Sequence, residues 1–269
     1  MIKLIASDVD GTLLTEGSLA LNPQMFDMIR TLKKKGVQFV AASGRQYESM
    51  TAVFGPVKDD IMFVADNGSY IYKNDELLEF KSFDDSTWRR IVRFLMTVPG
   101  INLMISSREG TFTNSRDEEF YRTVVDGYKV PMKIVDHLDE QDIHVCKVGV
   151  NCPDGNPSAI AELGRKEGFD AVSHILISGI YWIDFMPIST DKGAAITWIA
   201  DYLGIKRDET MAFGDSNNDI GMLKSVAQSY AVAGARPEAK KVAGHVLSEG
   251  VEQDAVLHVL QKLYKDEGN

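Results

Sequence analysis

Two aspartates one residue apart, Asp8 and Asp10, follow the apolar run at residues 2–6 and lead into Gly11-Thr12. Neighbouring carboxylates repel unless a positive charge lies between them. A hard divalent cation such as Mg²⁺, which prefers carboxylate and carbonyl oxygens, would neutralise them. A second acidic group, Gly214-Asp215-Ser216-Asn217-Asn218-Asp219, follows the apolar residues 211–213. Ser43-Gly44-Arg45 follows the apolar run 37–42, and Lys192 opens an apolar-rich stretch. Each segment by itself has an ordinary explanation. The first suits a solvated strand-to-turn loop, the second a turn with a helix N-cap, Ser43-Gly44 a turn, and Lys192 a solvated surface lysine. Together they place two acidic clusters, a hydroxyl and a lysine at the ends of expected strands or the starts of helices. Parallel α/β sheets bind ligands there, and this set of groups suits a phosphoryl group held with its metal.

The elements that must position these residues follow from pattern. Residues 2–6 read as a buried strand. Asn22-Pro23 predicts an N-cap with proline at the first helical position. Met25, Phe26, Ile29 and Leu32 give that helix an apolar face, and Lys33, Lys34, Lys35 and Gly36 suit its end. Residues 37–42 form a second apolar run. Strand, helix, strand implies a parallel crossover and a sheet with helices on its faces. The pattern then changes. Residues 61–65 read as a strand, Asn67-Gly68 as a hairpin turn, and residues 70–72 and 77–80 as strands around Asn74-Asp75. Beyond residue 82, helical patterns at 85–98, 117–125 and 157–167 alternate with strands at 101–105, 133–135, 145–150 and 181–185. From Asp191 the first pattern resumes: helix 192–203, strand 211–213, helix 220–226, strand 230–232 and a final helix at 253–264. The expected fold is α/β, a Rossmann-like parallel sheet core formed by residues 1–81 and 186–269, with an inserted α+β cap domain at 82–185.

Composition agrees with such a protein. The chain has 269 residues, 44% hydrophobic and 25% charged, which excludes a disordered or fibrous polypeptide. The 29 Lys and Arg against 39 Asp and Glu leave a formal charge of −10. A dedicated nucleic-acid binder needs cations to displace counterions, so no nucleic-acid partner is expected. Phosphate chemistry survives that argument, because a bound divalent cation reverses the local field. Cys146 and Cys152 read as free thiols of a reducing compartment. The first residues do not make a signal peptide, and no apolar run reaches the ~18–20 residues that span a bilayer. A soluble, cytoplasmic protein with no membrane partner is expected.

Asp8-Val9-Asp10-Gly11-Thr12, Ser43-Gly44-Arg45, Lys192-Gly193 and Gly214-Asp215-Ser216-Asn217-Asn218-Asp219 resemble, in order, the four motifs of the haloacid dehalogenase superfamily. The Asn67-Gly68 hairpin, the insertion between the second and third motifs, and Ala233-Gly234-Ala235-Arg236-Pro237-Glu238-Ala239-Lys240 resemble the Cof-type sugar-phosphatase subfamily. The resemblance covers essentially the whole chain.

That resemblance implies a phosphatase working through an aspartyl-phosphate. Asp8 would be the nucleophile, and Asp10 the acid that protonates the leaving oxygen and then the base that activates water. Asp10 also separates phosphoryl transfer from carbon–halogen cleavage, since the dehalogenases lack an acid there. Mg²⁺ would be held by the carboxylates of Asp8 and Asp215 and the backbone carbonyl of Asp10. Asp219 would stand behind, orienting Lys192 and the metal-bound waters. Lys192 would neutralise Asp8 and the phosphoryl oxygens. Ser43, the amides of Val9 and Gly44, and Asn218 would donate hydrogen bonds to those oxygens. Gly11 and Thr12 also have plain readings, as a turn glycine and its cap.

A cap would exclude water and favour a small phosphorylated metabolite, expected to be a sugar phosphate. Arg45, Arg108, Tyr181 and Trp182 are candidate selectors. Arg108 also reads as part of a hairpin turn, and Trp182 as ordinary strand packing. Two other uses of such a site stay open: a phosphomutase or phosphotransferase, in which a second sugar intercepts the aspartyl-phosphate, and a non-catalytic sugar-phosphate sensor.

Overall fold

The computed structural model describes residues 1–264. The chain divides into two compact units, Met1–Glu79 with the chain from Asp191 on, and Phe80–Thr190.

The first unit begins with β1 (Leu4–Asp8), buried at every position. α1 (Pro23–Lys34) starts where Asn22 accepts from the amide of Gln24, and buries Met25, Ile29 and Leu32. The chain then runs through β2 (Gln38–Ala42), α2 (Tyr47–Phe54), β3 (Ile61–Ala65), β4 (Tyr70–Lys73) and β5 (Glu76–Phe80). The second unit holds α3 (Asp85–Leu95), β6 (Asn102–Ser107), β7 (Gly110–Thr113), α4 (Glu118–Arg122), β8 (Met132–Ile134), β9 (Val145–Asn151), α5 (Pro157–Lys166), β10 (Ser173–Ile177) and β11 (Trp182–Pro187). The first unit resumes with α6 (Lys192–Leu203), β12 (Thr210–Gly214), α7 (Ile220–Ser225), β13 (Gln228–Ala231), α8 (Pro237–Val242), β14 (His245–Val246) and α9 (Ala255–Tyr264).

Strands of the first unit form one eight-stranded sheet in the order β14-β13-β12-β1-β2-β3-β4-β5. Pairing is parallel from β14 to β3 and antiparallel at the β3–β4 hairpin. β1 leads to β2 on one side, while the returning chain places β12 on its other side. The strand order therefore reverses at β1, and the carboxyl ends of β1 and β12 border the crevice where open α/β sheets bind ligands. Ala195, Ile196 and Ile199 of α6 pack on Leu4, Ala6, Val40, Val64 and Ala212, which fixes that helix against the central strands.

The second unit is a six-stranded mixed sheet, β10-β11-β9-β6-β7-β8, inserted between the two parts of the first. Trp88, Ile91 and Leu95 of α3 and Ile160 and Ala161 of α5 cover one face through Leu103, Ile105, Val148, Val150 and Phe185. The whole is the expected α/β architecture, a mainly parallel core with an inserted mixed cap. Several elements differ from the sequence reading. The sequence pattern does not mark α2, β7, β10, α8 and β14, because each is short or lacks a clear apolar period. The first strand extends to Asp8, and α3 ends at Leu95 instead of residue 98. The helix expected over 117–125 is α4 followed by a π-helical turn, Thr123–Gly127.

Candidate active site

Asp8 closes β1 and Lys192 opens α6. The lysine is fully buried, and its Nζ donates to Asp8 Oδ1 at 2.6 Å and to Asp219 Oδ1 at 2.7 Å. A buried ammonium is tolerated only with such partners. Backbone contact brings it there. Asp191 caps α6 by accepting from the amide of Gly193 at 2.8 Å. A Cβ on Gly193 would overlap the backbone of Gly221, and one on Gly221 would overlap the Asp191 carboxylate. Two glycines thus let the starts of α6 and α7 touch.

Asp219 Oδ1 is held by Lys192, and its Oδ2 accepts from the amides of Asp215 and Ser216 at 3.0 and 2.9 Å. It thereby holds both the lysine and the loop after β12. Asp215 is steadied separately. Thr12 Oγ1 donates to its Oδ1 at 3.0 Å, and the amide of Arg236 donates to its carbonyl at 2.7 Å. Gly11, at φ +86°, leaves the space that its carboxylate fills: a Cβ there would lie 2.6 Å from Asp215 Oδ2.

Carboxylate oxygens of Asp8, Asp215 and Asp219 lie within 4.8 Å of one another. Burial, then the charge of Asp219, pushes the Asp8 carboxyl well above its ordinary range, against the opposing pull of Lys192. Burial and Asp219 also raise Asp215, against the hydrogen bond from Thr12. Burial alone would lower Lys192, but the charges of Asp219 and Asp8 hold it above an ordinary lysine. Asp8 Oδ2 is buried and finds no donor among the described residues. One ammonium cannot balance three crowded carboxylates, and an all-oxygen donor set with an unpartnered buried oxygen fits a hard divalent cation. Asp8, Asp215 and Asp219 are the carboxylates that could hold it.

Asp10 is paired with Arg45. Its carboxylate receives Arg45 Nε at 2.7 Å and Arg45 Nη2 at 2.6 Å, and Nη2 also donates to the Ser18 carbonyl at 2.7 Å. The Arg45 guanidinium, a candidate selector, is thus held by Asp10 and the Ser18 carbonyl. Ser43 is buried at the end of β2, and its Oγ accepts from the Arg45 amide at 3.0 Å. Val9 is buried, and its carbonyl accepts from the amides of Leu13 and Leu14. Asn218 donates from Nδ2 to Asn67 Oδ1 at 2.9 Å. A Cβ on Gly44 would lie 3.1 Å from the Asn67 amide nitrogen.

Asp8, Asp10, Ser43, Gly44, Lys192, Asp215, Asn218 and Asp219 thus come together around the ends of β1, β2 and β12. Thr12 and Asn67 join them without having been singled out for chemistry. The Asn-Gly dipeptide was the only signal for Asn67, and it also reads as a turn. Arg108, Tyr181 and Trp182 belong to the second unit. Arg108 sits in the turn joining β6 to β7, Tyr181 is half exposed, and Trp182 packs its ring against Phe120 and Tyr128. Among the described residues no helix is long and apolar enough to cross a membrane.

The family model for haloacid dehalogenase-like hydrolase matches residues 5–260. The 5-amino-6-(5-phospho-D-ribitylamino)uracil phosphatase YbjI of Escherichia coli is 27% identical over 99% of this chain and 97% of its own. The HMP-PP phosphatase of Citrobacter koseri is 24% identical over 88% of this chain and 86% of its own. A protein of Eubacterium rectale of known crystal structure is 29% identical, with a TM-score of 0.87 over 97% of this chain and 99% of its own.

Proposed function

We propose that this chain, which belongs to the haloacid dehalogenase-like hydrolase family and is a phosphoric monoester hydrolase of that type, is a Mg²⁺-dependent phosphatase of small sugar phosphates and related polyol phosphates. The observation that carries this reading is the buried contact of Lys192 with Asp8, beside Asp215 and with the second Asp8 oxygen lacking a donor.

Asp8 attacks phosphorus, the bond to the leaving oxygen breaks, and that oxygen takes a proton from Asp10. A water then gives its proton to Asp10 and attacks the phosphorus, which releases phosphate and restores the Asp8 carboxylate. Lys192 neutralises Asp8 and the phosphoryl oxygens from the buried side. Ser43, the amides of Val9 and Gly44, and Asn218 orient the phosphoryl group. The Asp8 and Asp215 carboxylates and the Asp10 carbonyl would hold Mg²⁺, which supplies further neutralisation of charge. Residues 1–81 and 186–269 are assigned as the catalytic core, and 82–185 as the cap.

The relatives' names support hydrolysis over transfer to a second sugar. The 5-phospho-D-ribityl group in the name of the E. coli relative's substrate supports a phosphorylated polyol chain. The test is phosphate release from a panel of sugar, polyol and nucleoside phosphates, with Mg²⁺ or with a chelator, and with or without acceptor sugars. Preference for sugar or polyol phosphates, dependent on Mg²⁺ and indifferent to acceptors, supports the proposal. A phosphorylated acceptor as the main product contradicts it.

A further inference from the structure

The turn between β3 and β4 touches the loop after β2, the loop after β12 and the residue before α6. Asp66, Asn67 and Gly68 all have left-handed backbone, with φ of 46°, 54° and 108°. Non-glycine residues adopt it only at a cost in backbone strain and keep it where surrounding contacts demand it. Here the contacts are specific. The Asp66 amide donates to the Arg45 carbonyl, and the Asn67 amide to the Ser43 carbonyl, each at 2.9 Å. Asn67 Oδ1 accepts from Asn218 at 2.9 Å, and the Asn67 side chain lies where any Cβ on Gly44 would press. Gly68 abuts the residue before Lys192, since a Cβ there would lie 2.6 Å from the Asp191 carbonyl oxygen. One buried asparagine therefore links the loop after β2 to the loop after β12, through its backbone to the first and its side chain to the second.

We propose that Asn67 is a positioning residue for the phosphoryl pocket. Its backbone fixes Ser43-Gly44. Its Oδ1 fixes the rotamer of the Asn218 amide, 151 residues away, so that donors from the loops after β2 and β12 keep one anion-binding arrangement. The inference rests on the phosphatase reading and adds a residue that the family resemblance used only as a hairpin.

Asn67→Gly isolates the side chain. Glycine takes the positive φ freely and keeps both backbone donations of the turn, so a role confined to the turn predicts no functional loss. The measurements are KM and kcat for p-nitrophenyl phosphate with Mg²⁺, the competitive inhibition constant of inorganic phosphate, and the melting temperature. The expected result is about a tenfold rise in KM and in the phosphate inhibition constant, from the loss of one buried hydrogen bond that orders a donor, with an unchanged or higher melting temperature. Asn218→Ala should raise the same two constants, and the double variant should rise little beyond Asn218→Ala alone. Wild-type constants in Asn67→Gly, or effects of the two changes that multiply fully, would overturn the proposal. Normal wild-type turnover with an unaffected Asn67→Gly removes this inference alone. A wild-type protein that releases no phosphate removes the phosphatase reading, and this inference with it.

Discussion

Arg45 grips Asp10 with two donors, Nε at 2.7 Å and Nη2 at 2.6 Å from its two carboxylate oxygens, while Nη2 also donates to the Ser18 carbonyl. The fork fixes the carboxylate plane, which a single ammonium could not do. Arg45→Lys should therefore misplace the acid. Turnover of alkyl phosphates should fall by about 10-fold or more, and that of aryl phosphates, whose leaving groups need little protonation, should fall less. Steady-state rates across a series of leaving groups test this, and an equal loss for all of them would contradict it.

Asp10→Asn changes the side chain and keeps the residue's own backbone carbonyl. Hydrolysis of alkyl phosphates should drop by about 10²–10⁴-fold, the usual worth of a general acid–base. Stabilisation by Mg²⁺ should persist, because the backbone carbonyl remains. Thermal denaturation with and without Mg²⁺ reads the second point, and loss of the Mg²⁺ effect would make the Asp10 side chain the ligand.

Asp215→Asn should stabilise the metal-free fold and abolish its response to Mg²⁺. Folding raises the carboxyls of Asp8 and Asp215, so at neutral pH their ionised forms oppose the folded state. Removing one charge relieves that repulsion, and Thr12 can still donate to the remaining carbonyl oxygen. Wild type should melt higher in Mg²⁺ than in chelator, and the variant should melt at one temperature in both. A variant less stable than wild type in chelator would contradict the reading of the cluster.

Lys192→Ala should cost stability as well as turnover. The lysine is fully buried between Asp8 and Asp219, and removing one partner from a buried ionic network costs about 3–5 kcal/mol. Denaturant unfolding should show a loss of that size, and turnover measured where the variant is folded should fall by orders of magnitude. A stable variant altered only in KM would place Lys192 outside the ionic core.

Much of this site is legible in the sequence, because its chemistry sits at ends of apolar runs. The Asp8–Asp10 pair, the Ser43 turn and the Asp215–Asp219 loop each follow a buried strand of the parallel sheet. Thr12 and Asn67 are legible only as turn residues, since their partners are 203 and 151 residues away. Local spacing carries no information about such contacts. Arg45 shows the same limit: its charge suggests a substrate contact, while its pairing with Asp10 is visible only in the fold. The missed elements fail for a related reason. β7 has four residues and begins with glycine, and its stability comes from pairing with β6 and β8 more than from its own pattern.

Direct capture of the phosphoenzyme tests the proposed covalent transfer to Asp8. The protein is mixed with an aryl phosphate and Mg²⁺, quenched in acid within milliseconds, digested and mapped by mass spectrometry. Transfer through Asp8 predicts a hydroxylamine-sensitive phosphoryl group on Asp8 that forms and decays at rates compatible with turnover, and a folded Asp8→Asn variant, checked for deamidation, with neither label nor activity. Phosphoryl label on another residue, or Asp8→Asn turning over near the wild-type rate, would contradict it.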